Sequence, residues 1–494
     1  MKIWKPLLTL AFCAVALCGC GRDAGPFTQE GCMEFLHNNM PDEDAFAYDE
    51  SYWAENVAKT LEVREKMGWD VPEKEFLHFV LPVRVADEPL DRFRLEYADS
   101  VCEAVKGLSM YDAVLELNYW CLSHVNYNPD AQGNLSPLGV MAWKGAQCDG
   151  LTVFTVNVLR AAGIPARKVD VSWAHVGMGH SWTEVWVDGK WYFIGSVEPH
   201  VRLNATWFND PASRCYQTSV KVFGRYDGPE PVISRTDLGT TVNTIPLYTR
   251  NLRDASVTVV DSRNRPVPGA TVDFMAYNAG SLFSLGKSVT GSDGRAVLRS
   301  VGCGSIIVFA FKDDSYGVCV EDGSESDIVM REPSDDPVHF STTALRIPPV
   351  DLMYEAPTDE QFEHVLERDA VCDSIRVSIA GSANPDSLAR KAVRDACRPH
   401  IPRVDVPSTV GNVRLQPVVS GDIAMGRDFS FMAFCPDGLE TVRSIYVAPG
   451  RYLLVTGFRP DEDSVVLGLD VFTIPENVKT ARIPVALRSD FRSR

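Results

Sequence analysis

Fifteen residues that begin at Cys148, and the three short runs that follow them, restrict the possible folds more than any other part of this chain. The stretch from Cys148 to Ala162 is rich in β-branched residues, yet fifteen residues are too many for a strand. Leu151, Thr155, Val158 and Ala162 fall on one helical face, and Gly163 and Pro165 supply the stop. The segments ARKVDVSWA, HSWTEVWV and KWYFIGSV then alternate as strands do, with Asp188-Gly189 as a two-residue hairpin signal between the last two. A helix followed at once by antiparallel strands predicts an α+β core in which the helix packs on a sheet.

The 494 residues exceed what one hydrophobic core usually serves, so several domains are expected. Residues 20–109 read as a helical N-terminal region, residues 110–215 as the α+β core, and residues 245–333 as a β-sandwich. Residues 334–411 read as helical or linking, and 412–494 as a β-rich C-terminal domain. The helical reading rests on SYWAENVAKTLEVREKMGW and SMYDAVLELNYWCLSHV, where apolar residues recur at three and four. Between them FLHFVLPVRVADEP, broken by prolines, is expected to be extended or irregular. Strand runs separated by Gly/Pro/Asp turns carry the sandwich reading. That block resembles carboxypeptidase regulatory-like (transthyretin-like) domains. Cys372 and Cys397 are placed so that they could meet across a helix pair.

Cys148 opens the helix, where unpaired backbone N–H groups and the dipole favour a thiolate and predict a lowered pKa. A cysteine at a helix start is commonly just a core residue. The second half of the pattern argues otherwise: His180 begins a strand 32 residues later, a distance that lets an imidazole face the thiol across a helix-then-sheet core. His175 and His180 lack matching Cys or carboxylate spacing, so neither a metal nor another cofactor is expected. Trp207, Phe208 and Arg214 are candidates for a groove wall or for core.

The order Cys at a helix start, Gly163-Ile164-Pro165-Ala166-Arg167, His180-Ser181-Trp182-Thr183-Glu184-Val185 and Gly189-Lys190-Trp191 resembles the transglutaminase-like superfamily, a papain-like thiol fold. The resemblance implies that Cys148 is an acyl-accepting nucleophile and His180 the base that activates it. Where the family usually carries a third residue, an Asp four places after Trp191, this chain has Gly195. Glu198, just before Pro199, is the expected substitute. Glu184 shares a strand face with His180 but sits roughly 13 Å away at the usual rise of a strand. The Cys148 backbone N–H with Gln147, or alternatively Trp143, would meet the oxyanion.

At the N-terminus Lys2 and Lys5 precede an apolar run from Leu7 to Leu17, the charge order of a secretory signal over residues 1–19. It closes on Leu17-Cys18-Gly19-Cys20, which resembles the lipobox of bacterial lipoproteins. That resemblance implies an exported protein whose Cys20 is acylated and anchors it to a membrane, at the periplasmic face or the cell surface. The formal charge of −18, which becomes −20 once Lys2 and Lys5 are removed, argues against nucleic-acid binding. The expected partners are a peptide, protein or glycopeptide substrate and a membrane reached through the lipid. The expected activity is amide cleavage through a Cys148 acyl-enzyme, as a peptidase or amidase. Acyl transfer to amines with protein cross-linking is one alternative, and a non-catalytic peptide- or glycan-binding lipoprotein is another.

Overall fold

The computed structural model describes residues 25–379, with short interruptions, and strand segments between 403 and 482. Cys20 and the apolar leader lie outside the described residues, as do His175 and Cys397. Among the described residues no helix is long and apolar enough to cross a membrane.

Ahead of the site come α1 (Gln29–Asn39), α2 (Asp42–Ala47), α3 (Glu50–Met67), α4 (Glu73–Phe79), α5 (Phe93–Ala104) and α6 (Met110–His124). Thr28, Asp49 and Ser109 each accept a first-turn N–H at a helix start, and Gly68 takes the left-handed conformation that ends α3. Val57, Val101 and Leu117 share one core with Phe154 and Val158, so the N-terminal helices pack into the same hydrophobic core as α8. The FLHFVLPVRVADEP run differs from expectation in its first half. Pro72 precedes a helical turn that carries it to Phe79, and only from Val80 is it irregular. Two buried arginines hold that irregular part: Arg94 donates to the carbonyls of Val80, Leu81 and Pro82, and Arg160 to those of Pro82 and Arg84. Without these donors the buried carbonyls would lose their partners.

Strand β1 (Asn126–Tyr127) pairs in parallel with β2 (Gly145–Ala146) across α7 (Pro137–Ala142), and α8 (Cys148–Ala161) follows directly. Gly145 is required there, because a side chain would collide with the Asn126 carbonyl. Every residue of α8 from Gly150 to Ala161 is buried, which explains its apolar, β-branched composition. The chain then forms β3 (Ala166–Ser172), β4 (Ser181–Val187), β5 (Lys190–Ile194), α9 (Asn209–Ser213), β6 (Gln217–Phe223), β7 (Val232–Thr236) and β8 (Gly239–Asn243). The sheet order is β5-β4-β3-β6-β8-β7, antiparallel throughout. It therefore continues past residue 215, to Asn243. Asp188 and Gly189 both have positive φ, 47° and 89°, as a primed two-residue hairpin turn demands.

Two sheets form the next region: β11 (Ser281–Val289), β10 (Thr271–Asn278), β13 (Ile306–Lys312) and β14 (Ser315–Glu321) in one, β12 (Arg295–Gly302), β9 (Leu252–Val260) and β15 (Ser326–Val329) in the other. Val257, Val272, Phe274 and Val308 fill the core between them. The segment expected to be helical or linking holds a strand as well: Val338–Arg346 pairs with Ser464–Ile474 of the C-terminal sheet. Helix α10 (Asp359–Ile379) packs back on α6, where Arg368 meets Glu116 at 2.8 Å and Cys372 Sγ lies 3.5 Å from the Tyr119 carbonyl. The thiols of Cys32, Cys102, Cys121, Cys148, Cys215, Cys303 and Cys319 are free.

Candidate active site

Gln147 caps α8 with its backbone in an extended conformation, and Cys148 is the first helical residue. Half-buried, the sulfur faces the start of β4, where the N–H of Ser181 favours the thiolate. Ser181 directly follows His180, so the start of α8 and the histidine end of β4 converge at one place. Packing of α8 on β3 and β4 fixes this convergence.

The electrostatics differ from the sequence expectation of a lowered thiol pKa. Burial dominates and pushes the Cys148 thiol up from its ordinary value. The N–H groups of Ser181 and Asp149 and the Lys168 ammonium pull it down, while the Asp149 carboxylate adds to the rise. Burial also lowers His180, to about 4. Both groups are therefore held in their neutral forms at neutral pH, because desolvation outweighs the partners of the thiol and is unopposed at the imidazole. Among the described residues no hydrogen bond joins the thiol to the imidazole, and His180 Nε2 is buried without a partner. Aromatic rings fix the imidazole instead: Trp207 at 5.1 Å, Phe208 at 5.3 Å, Trp182 at 5.9 Å and Trp173 at 6.2 Å between ring centres.

Glu198 lies across the turn from Gly195, in the space a side chain at Gly195 would occupy. Its Oε2 accepts from Trp207 Nε1 at 3.0 Å and makes no bond to His180. Part of the residue is exposed, yet the packing around its carboxyl pushes the pKa up to about 7, which the Trp207 N–H opposes. Gln147 Nε2 donates to the Pro129 carbonyl at 3.0 Å and ties the preceding loop to the helix start. Trp143 ends α7. Of the three groove candidates, Phe208 is core and Arg214 binds the Pro348 carbonyl and Asp463, while Trp207 is 58% exposed beside His180.

The motif residues around the pair hold the sheet. Arg167, 2% exposed, donates to Glu184 and Glu230, each at 2.7 Å, and stacks over Trp191 at 3.7 Å. Glu184 also accepts from Thr244 and Tyr248, and Trp182 Nε1 donates to Tyr248. These bonds account for the Arg, Trp and Glu of the motifs without assigning them chemistry.

Sequence reasoning passed over a polar cluster on the thiol side. Lys168 Nζ lies 2.7 Å from Asp149 and bonds Asp170 as well. Ser181 Oγ donates to Asp170 at 2.6 Å and reaches Asp149 at 3.3 Å. The period-2 spacing of Lys168 and Asp170 in RKVDVS was the available signal. Among the described residues no three His, Cys, Asp or Glu side chains converge to hold a metal.

Residues 98–195 match the model of the transglutaminase-like superfamily, and that span is a transglutaminase-like domain. No curated protein matches the chain. Among solved structures, it is similar to a candidate cysteine protease from Cytophaga hutchinsonii at 15% identity and a TM-score of 0.20. That match covers 32% of this chain and 61% of the other. A red sea bream transglutaminase matches at 9% identity and a TM-score of 0.27, over 84% of this chain and 80% of the other.

Proposed function

We propose that the domain is a thiol enzyme that cleaves amide bonds through a Cys148 acyl-enzyme, with water as acceptor, as a peptidase or amidase. The observation that carries this reading is the convergence of Cys148, at the start of α8, with the His180–Ser181 step at the start of β4, where Ser181 Oγ reaches the Asp149 carboxylate at 3.3 Å. Neutral thiol and neutral imidazole suit a general-base route. His180 takes the thiol proton as sulfur attacks the carbonyl carbon, then returns it to the leaving amine; water hydrolyses the acyl-enzyme and restores the thiol. Catalytic hydrogen bonds often tighten only with substrate bound, so closure of thiol and imidazole belongs to the reaction cycle. The Cys148 N–H, with the second N–H of the Gln147 amide, is assigned to the oxyanion. Glu198 is assigned to act on His180 through Trp207, whose indole N–H it accepts and whose ring lies 5.1 Å from the imidazole. Exposed Trp207 forms the wall against which a peptide or glycopeptide substrate packs. In the cell, acylation at Cys20 would hold this site at an exported membrane face.

Incubation with a peptide mixture, followed by mass mapping, tests the reading. The expected result is an acyl adduct on Cys148 that water discharges and that Cys148→Ala lacks. Discharge only on addition of an amine would favour cross-linking acyl transfer. A non-catalytic, ligand-binding module is the second reading, favoured by the partnerless His180 Nε2 and by Gly195. Absence of any adduct, with retained peptide binding, would support it.

A further inference from the structure

The polar cluster beside the thiol joins three elements. Asp149 comes from the first turn of α8, Lys168 and Asp170 from β3, and Ser181 from the first position of β4. The β3–β4 register sets Asp170 opposite Ser181 and Lys168 opposite Thr183, so Lys168, Asp170 and Ser181 all turn towards α8. Lys168 is 9% exposed, and its ammonium is shared between the two carboxylates. Ser181 adds its hydroxyl to the same two acceptors. The charged groups that act on the Cys148 sulfur are Asp149 from its own helix and Lys168 from β3.

We propose that Lys168 is a positioning residue: by clamping Asp149 to Asp170, it locks the start of α8 onto β3 and β4 and keeps the Ser181 N–H aimed at the Cys148 sulfur. The proposal rests on the thiol-enzyme reading for its purpose, but not for its test. The clamp does two things to the sulfur. It holds a hydrogen-bond donor against the developing thiolate, and it places one cation near enough to offset the Asp149 carboxylate. A cation of purely structural value would not alter how the thiol titrates.

The experiment is iodoacetamide alkylation of Cys148 in the full chain as a function of pH, read by peptide mass, since alkylation needs only a thiolate and no catalytic turnover. Lys168→Met is expected to move the alkylation profile to higher pH and to slow labelling at neutral pH on the order of tenfold. Lys168→Arg, which keeps the charge, should return most of the rate. A profile unchanged in Lys168→Met, with the fold intact by circular dichroism, overturns the proposal. If Lys168→Met does not fold, Ser181→Ala replaces it: a smaller shift in the same direction is expected, and no shift overturns the proposal. Failure of the thiol-enzyme reading shows separately, as the lack of a Cys148 acyl adduct while the Lys168 effect on alkylation persists.

Discussion

Arg167 and Lys168 are consecutive residues of β3, and the pleat turns them to opposite faces of the sheet. Each cation holds two carboxylates, but the surroundings differ. The acids gripped by Arg167, Glu184 and Glu230, have side-chain exposures of 0% and 12%. Those gripped by Lys168, Asp149 and Asp170, stand at 48% and 53%. A buried ion pair is costly to break, because removing one partner strands the other charge away from water. Half-exposed carboxylates can be rehydrated, so losing their partner costs little. One face of the strand therefore secures the fold, and the other tunes the sulfur beside it.

Four substitutions follow, of which the first two test this contrast directly. Arg167→Met should cost the most, about 3–5 kcal/mol of stability, because it leaves the buried Glu184 and the mostly buried Glu230 without their cation. Chemical denaturation measures it, and a loss under about 1 kcal/mol would show that the two faces do not differ. Lys168→Met should change stability by less than about 1 kcal/mol while shifting Cys148 alkylation, the opposite balance of effects. Two further variants, at His180 and Glu198, are read from the pH dependence of the melting temperature. His180 has a depressed pKa in the fold, about 4, so the stability it contributes is full above its ordinary value of about 6.5 and is lost as pH falls through that window. Glu198 is raised to about 7, so its contribution is full below the ordinary glutamate value and is lost as pH rises towards 7. His180→Gln should remove the acid-side loss, and Glu198→Gln the loss towards neutrality. If both variants keep the wild-type profile, the environments described for these groups are wrong.

The elements of the core were legible in the sequence wherever a local rule acts alone. Helical spacing after Cys148, alternation in HSWTEVWV and the Asp188-Gly189 turn each specify a piece of chain, and each piece is present. Legibility failed where burial and long-range partners decide. The helix start at Cys148 argued for a lowered thiol pKa, but desolvation by the surrounding core outweighs it. Lys168 reads locally as an ordinary strand lysine, and only the pairing of Asp170 with Ser181 and the arrival of Asp149 from α8 make it a clamp. Glu198 was found by counting from Trp191, yet its bond to Trp207 rather than to His180 depends on the turn that carries Trp207 back over the site. Val338–Arg346 escaped notice because its partner strand lies more than a hundred residues further along the chain.

The most direct test of the thiol–imidazole claim is the rate at which an activated ester such as p-nitrophenyl acetate acylates Cys148, followed by intact mass in the wild type and in His180→Ala. General-base help from His180 predicts a fall on the order of 10²–10⁴-fold in the variant, with the adduct confined to Cys148. Equal rates in the two proteins, or acylation spread over other cysteines, would contradict it.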